Sequence, residues 1–197
     1  LGVLQVVTRH LGRRPIYFSV TVPDDAKVYM HDHIVRQGVA DRLLERRADD
    51  LARAGRVFLP MQPPESSWID VERTEVLLEE VYRYRGLDDP GVYKDGTARA
   101  LIGNYGATYL QLAAAQARRG ETDEAIRSLQ RGNEILGRDA DDPNYLSSLI
   151  NVYAVSGDGP RLDSLFRSVR ERGGTPLDDR FYKSAAYNAA VAGHYEM

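Results

Sequence analysis

Few residues of this chain have the types and spacing that chemistry needs. His31-Asp32-His33 is the only histidine cluster. Two imidazoles at alternate positions of a strand can reach one metal ion, but a site needs a third or fourth ligand. Spacing places no further histidine or carboxylate there, so the pair is expected in a solvated loop and no metal is expected. Five acidic pairs, Asp24-Asp25, Asp49-Asp50, Asp88-Asp89, Asp141-Asp142 and Asp178-Asp179, have the composition for general acid–base work. All but Asp49-Asp50 fall in predicted turns or at helix starts, where a carboxylate caps backbone N–H groups and meets the favourable end of the helix dipole. These pairs are expected to be structural. There is no Gly-x-Ser-x-Gly elbow for a serine nucleophile, no glycine-rich loop ending in Lys-Ser/Thr, and no cysteine. Gly103-Asn104-Tyr105-Gly106 is too short for a phosphate loop and lies inside a helical pattern, so its glycines are expected to permit close packing. Neither a catalytic residue nor a cofactor is expected, and a small hydrolase is the least favoured reading.

The elements that surround these residues divide into two kinds. Leu1 to Leu11 reads as a short helix with Val3, Leu4, Val7 and Leu11 on one face. It has neither the basic leader nor the small-residue cleavage site of a signal peptide. Ile16 to Val22 is β-branched and aromatic, with Pro15 at its edge, and predicts a strand. A helix is expected from about His31 to Ala54, with Ile34, Val35, Val39, Leu43 and Leu44 as its apolar stripe. Arg56 to Pro60 predicts a second short strand able to pair with the first. Gln62 to Ser67 carries two prolines and is the best linker, which sets a small α/β region at 1–63 and a helical region at 64–197. The fold class expected is α+β, mainly α. Ser67 to Arg85 predicts a helix capped by Ser67, with Asp70 three residues on. Gly86 to Gly91 breaks it, and a long helix is expected from Thr97 to Arg119.

From there the chain repeats. Gly120, Gly157 and Gly193 are 37 and 36 residues apart, each following a predicted helix. Large residues stand eleven before them (Tyr109, Leu146, Tyr182). Eight before stand Leu112, Leu149 and Ala185, and seven before stand Ala113, Ile150 and Ala186. Ala125 and Leu162 follow the first two glycines by five, Leu129 and Phe166 by nine. Asp142-Pro143 and Pro160 supply helix starts. This pattern resembles the tetratricopeptide repeat (TPR), in which paired antiparallel helices stack into a solenoid and a small residue such as Ala125 lets one helix approach the other. Leu162 departs from the small residue, and the third unit has only its first helix, expected as a cap or as a sign that the protein continues. The resemblance implies a groove along the first helices. Positions between the core residues would line it: Gln111, Arg118, Asn144, Ser148, Asn151, Arg180, Lys183 and Tyr187. Amides and hydroxyls suit a peptide backbone, and the cationic groups suit a carboxylate.

The segments Arg14-Pro-Ile-Tyr-Phe-Ser-Val-Thr-Val22, Val35-Arg-Gln-Gly-Val-Ala-Asp-Arg-Leu43, Tyr82-Arg-Tyr-Arg-Gly-Leu-Asp-Asp-Pro-Gly-Val-Tyr93 and Asn104-Tyr105 precede the TPR-like helices. In this order they resemble the C-terminal soluble region of a bacterial multi-pass membrane-protein family of unknown function. That family is related to the protein O-mannosyltransferases, of glycosyltransferase C type. His31 and His33 depart from its pattern, where apolar or tyrosine residues are expected. The resemblance implies that the catalytic groups lie in an N-terminal membrane part, leaving this chain a non-enzymatic, extracytoplasmic accessory domain that binds a protein or peptide. An independent TPR scaffold is the alternative.

Composition agrees with both readings. The 197 residues are 43% hydrophobic and 28% charged, with a net charge of −3. No basic excess points to nucleic acid, and no apolar run approaches the roughly 18 residues of a membrane span. Arginine supplies 23 of the 26 basic residues, read as GC-rich coding. The chain opens on Leu1, as expected of a fragment or processed product.

Overall fold

The computed structural model describes residues 2–53, 58–60, 68–87, 89, 91–172 and 179–194. Chain contacts divide it into two compact units, Leu1–Arg83 and Tyr84–Met197. The division falls twenty residues after the expected 63/64 boundary, because the helix that follows the proline-rich segment packs with the sheet. The linker residues 62–67, with the expected cap Ser67, lie outside the described residues, as do Leu1, Asp88 and Asp178.

The first unit is a mixed five-stranded sheet with short helices. Its elements are α1 (Gly2–His10), β1 (Ile16–Ser19), a 3₁₀ segment (Asp24–His33), β2 (Ile34–Gln37), β3 (Ala40–Leu43), α2 (Ala48–Arg53), β4 (Phe58–Pro60), β5 (Trp68–Asp70) and α3 (Val71–Val76), the last extended by a π-turn over Leu77–Val81. The strand order is β1-β3-β2-β5-β4, with β2/β5 parallel and the other pairs antiparallel.

Three expectations are corrected here. The stretch 31–54 is not one helix but a β2–β3 hairpin followed by the short α2. Gly38 turns the hairpin at φ +59, the Tyr82 hydroxyl occupies the place a Cβ would take, and Gly38 N–H donates to Thr74 Oγ1 at 3.1 Å. The apolar residues that mimicked a helical stripe are divided between the two faces of the sheet. Val35 and Leu44 pack with Ala48, Leu51 and Trp68, while Ile34 and Leu43 pack with Val7 and Met30. Second, β4 pairs with β5 rather than β1, whose partner is β3 in the register Ile16↔Leu43. Third, Asp70 rather than Ser67 caps the helix at its N-terminus, accepting from Arg73 N at 3.1 Å, because Trp68–Asp70 is spent on a strand. In α1 only Val7 of the expected face is buried, and Val3 and Leu4 are exposed.

The second unit is helical: α4 (Gly96–Arg118), α5 (Thr122–Ile135), α6 (Pro143–Ser156), α7 (Gly159–Arg172) and α8 (Asp179–Val191). Caps fit the sequence: Asp95 accepts from Ala98 N, and Asp142 from Asn144 and Tyr145 N, with Pro143 in the first turn. α4 and α5 run antiparallel, since Gly106 meets Leu136, Tyr109 meets Gly132, and Ser128 Oγ donates to Gln116 Oε1 at 2.8 Å.

Two core clusters follow. Ala113, Ala117, Ala125, Leu129, Tyr145, Leu149 and Val152 join α4, α5 and α6. Ile150, Ala154, Leu162, Ala185 and Ala189, flanked by Phe166 and Phe181, join α6, α7 and α8. Residues 113/150, 117/154, 125/162 and 129/166 are 37 apart, and 145/181 and 149/185 are 36 apart, which are the two glycine spacings. The three glycines end their helices at φ +75, +74 and +89. No helix among the described residues is long and apolar enough to cross a membrane.

Candidate functional site

The expected groove residues lie on α4, α6 and α8. α6 contacts both α4 and α8, so these are neighbouring helices. On α6, Tyr145, Leu146, Leu149, Ile150, Val152 and Ala154 are buried. That leaves Asn144 exposed and Ser148 and Asn151 half-buried, at the i, i+4, i+7 spacing of one stripe. Ser148 Oγ donates to the Asn144 carbonyl at 2.8 Å and thereby keeps one lone pair pointed away from the helix.

The repeat relates these positions to the flanking helices. Gln111 of α4 corresponds to Ser148, and both are half-buried. Tyr187 of α8 corresponds to Asn151 and is 69% exposed. Arg180 corresponds to Asn144, but its side chain lies outside the described residues. Lys183 is exposed, with Nζ 3.6 Å from Asp179. Arg118 ends α4, where a cation meets the favourable end of the dipole. It keeps exposed surface, yet surrounding protein desolvates the guanidinium enough to lower its pKa below the ordinary arginine value.

The same relation brings in two residues that the sequence reading missed. Ser184 matches Gln111 and Ser148, and Ser147 matches Lys183. Their signal was the period itself, applied to polar rather than core positions. One core expectation fails in the third unit: Tyr182, matched to the buried Tyr109 and Leu146, is 40% exposed. It stacks on Phe166 at 4.7 Å between ring centroids and accepts a hydrogen bond from Arg170 at 3.3 Å. Phe181, one residue earlier, turns into the core instead. Ala186, expected to match the buried Ala113 and Ile150, is likewise exposed.

The remaining candidates sit in structural roles. His31 and His33 lie in the 3₁₀ segment rather than a strand or loop, and His33 Nδ1 is 3.2 Å from the Leu44 carbonyl. Among the described residues no group of three or more His, Asp or Glu side chains could hold a metal ion. Asp49 and Asp50 stand in the first turn of α2, so this pair joins the other acidic residues at helix starts. Arg47 donates to Asp49 and lowers its pKa below the ordinary carboxylate value. Asp89 Oδ1 accepts from Gly91 N within its turn. Of the two glycines of Gly103-Asn104-Tyr105-Gly106, Gly106 is closely packed and Gly103 has open space around it.

No family model matches this sequence, and no curated protein or solved structure matches it either.

Proposed function

We propose that this chain is a non-catalytic, TPR-like interaction domain that binds a protein or peptide segment along α4, α6 and α8. It would serve as the extracytoplasmic soluble part of a membrane glycosyltransferase-like protein related to the O-mannosyltransferases. One observation carries the binding reading. α6 is buried on both flanks by clusters of equivalent composition and retains a stripe of amide and hydroxyl groups, Asn144, Ser148 and Asn151, on its free side. Solenoids that repeat helix pairs use such a surface for extended ligands. The membrane parent rests on the sequence segments, two of which, Arg14–Val22 and Val35–Leu43, are adjacent paired strands.

Panning a random peptide library against the immobilised chain tests the binding reading. Selected peptides should bind about fivefold more weakly to Asn151→Ala and Lys183→Ala, the equivalent of one hydrogen bond each. The Arg180→Ala variant belongs in the same set. Affinity that ignores all three substitutions removes the groove. For the parent, the coding sequence upstream of Leu1 decides: a run of transmembrane segments supports attachment to a membrane enzyme, and an immediate start codon leaves the independent scaffold.

A further inference from the structure

We propose that the cleft between the end of α1 and the β1–β3 ladder binds a phosphate-bearing anion, a diphosphate or phosphate ester. The cleft lies wholly within the first unit and does not rest on the peptide groove. Its volume is about 500 Å³, and its wall carries Arg13, Arg14, Arg42 and Arg46 over a floor that includes the buried Leu43, Leu44 and Leu51. Such a volume falls in the usual range of small-molecule sites, roughly 300–1,000 Å³.

The backbone explains why arginines so far apart in sequence meet. Arg13 N and Arg14 N both donate to the His10 carbonyl, and Gly12 at φ +78 turns the chain out of α1. The ladder ends at Ile16↔Leu43, and the segments that leave it there, 12–15 and 44–46, line the cleft together, while Arg42 faces Tyr17 within the ladder. Three other arginines of this unit are neutralised: Arg36 by Asp41, Arg47 by Asp32 and Asp49, and Arg53 by Asp49 and Asp50. Among the described residues, none of the four cleft arginines is in an ion pair. Among the described residues Glu45 is the only carboxylate in the wall, and it packs against Gly12.

Four guanidinium groups against one carboxylate repel one another, and a multivalent anion relieves that repulsion. Guanidinium forks match phosphate oxygens in pairs, and the apolar floor raises the interaction above its value in open water. The chain as a whole is acidic, so the feature is local rather than a general basic character. The phosphate can come from a soluble ester or from a lipid headgroup, and the two sources are separable.

Calorimetric titration of the 197-residue chain with inorganic pyrophosphate at low ionic strength forms one arm. Flotation with equimolar phosphatidylcholine and phosphatidic acid vesicles, against pure phosphatidylcholine, forms the other. Binding in either arm should weaken about tenfold in Arg13→Gln/Arg14→Gln and in Arg42→Gln. It should tighten in Glu45→Gln, fall with added salt, and stay unchanged in Arg99→Gln. Pyrophosphate binding with this pattern identifies a soluble ligand, and vesicle binding alone with this pattern identifies the headgroup. The proposal is overturned if neither probe binds, or if binding survives both arginine variants while their unfolding curves match the parent chain. Arg13 and Arg14 are exposed turn residues, so that variant leaves the core intact.

Discussion

Glycine-to-alanine substitutions at two helical positions of the second unit should have opposite signs. In a helix interior, alanine is favoured over glycine by about 1 kcal/mol. Gly103 of α4 has nothing within 4 Å of the position a Cβ would take, so Gly103→Ala should gain about that amount. At Gly132 of α5 the new carbon would lie 2.8 Å from Tyr109 Cβ and 3.3 Å from the Gly106 carbonyl oxygen. Carbon atoms pack at about 3.5–4.0 Å, so α5 would have to retreat by nearly 1 Å. The obstructing atom is fixed to the α4 backbone and belongs to a fully buried tyrosine, so it cannot rotate away. Overpacking of this kind costs about 1–3 kcal/mol. With the stiff contact at the upper end and the helix gain subtracted, Gly132→Ala should lose about 2 kcal/mol. The two variants should then differ by about 3 kcal/mol in urea unfolding. Gly106→Ala meets the Leu136 side chain, which can change rotamer, and should fall between them. Equal stability of Gly103→Ala and Gly132→Ala would refute the close approach of α4 and α5.

Two further predictions concern charge. Asp41 is 3.0 Å from Lys27 Nζ and 2.5 Å from Arg36 Nε, and the carboxylate and lysine are almost wholly buried. Asp41→Asn should therefore destabilise the first unit by about 3 kcal/mol, since it removes the buried carboxylate that both cations share. A loss under about 1 kcal/mol in urea unfolding would show that the cluster is hydrated. Burial raises the pKa of Tyr145 above its ordinary value, with a hydrogen bond to Gln130 opposing the shift. The unfolded chain ionises near pH 10, so the stability from keeping this phenol neutral is complete below that pH. It is lost as pH rises through the higher folded value. Tyr145→Phe should be less stable than the parent at pH 7 and close that gap above pH about 10. A gap that stays constant in pH-dependent unfolding would exclude the tyrosine.

The repeat of the second unit was legible because its period is carried by residue types that only packing explains. The helix-ending glycines and the core position eight before them recur at spacings of 37 and 36, while the position seven before them holds for Ala113 and Ile150 and fails at Ala186. The position twelve before was not legible. Tyr145 and Phe181 stand beside Leu146 and Tyr182, and two adjacent bulky residues give no local sign of which one faces the core. The first unit was legible at α1, β1 and β4, but not in the partner of β4 nor between residues 31 and 54. Its hairpin is buried on both faces, so apolar residues do not alternate, and Arg, Ala and Leu lean towards helix. What decides the turn at Gly38 is Thr74 and Tyr82, whose contacts no local window contains. The cleft arginines were hidden for the same reason, since Arg13 and Arg14 come to line one cleft with Arg42 and Arg46 only because β1 pairs with β3.

The two core clusters also imply unequal rigidity along the proposed groove. α6 contributes Tyr145, Leu149 and Val152 to one cluster and Ile150 and Ala154 to the other, so it is held from both sides. α8 contributes Ala185 and Ala189, flanked by the half-buried Phe181, to a single cluster, and its Tyr182, Ala186, Tyr187 and Val191 remain exposed. Alanine buries far less apolar surface than leucine or tyrosine, and each buried methylene contributes about 0.8 kcal/mol. If the helices stack as the proposed repeat implies, stability is a sum of nearest-neighbour terms, and the helix with one small interface opens first. Backbone amides of α8 should exchange with solvent well before those of α6, under conditions where local opening dominates. A ligand that bridges Asn151 and Tyr187 should slow α8 exchange more than α6 exchange, because ordering is gained where it was lacking. Equal protection of the two helices in the free chain would overturn this, and would mean that α8 is anchored by more than its two buried alanines and Phe181.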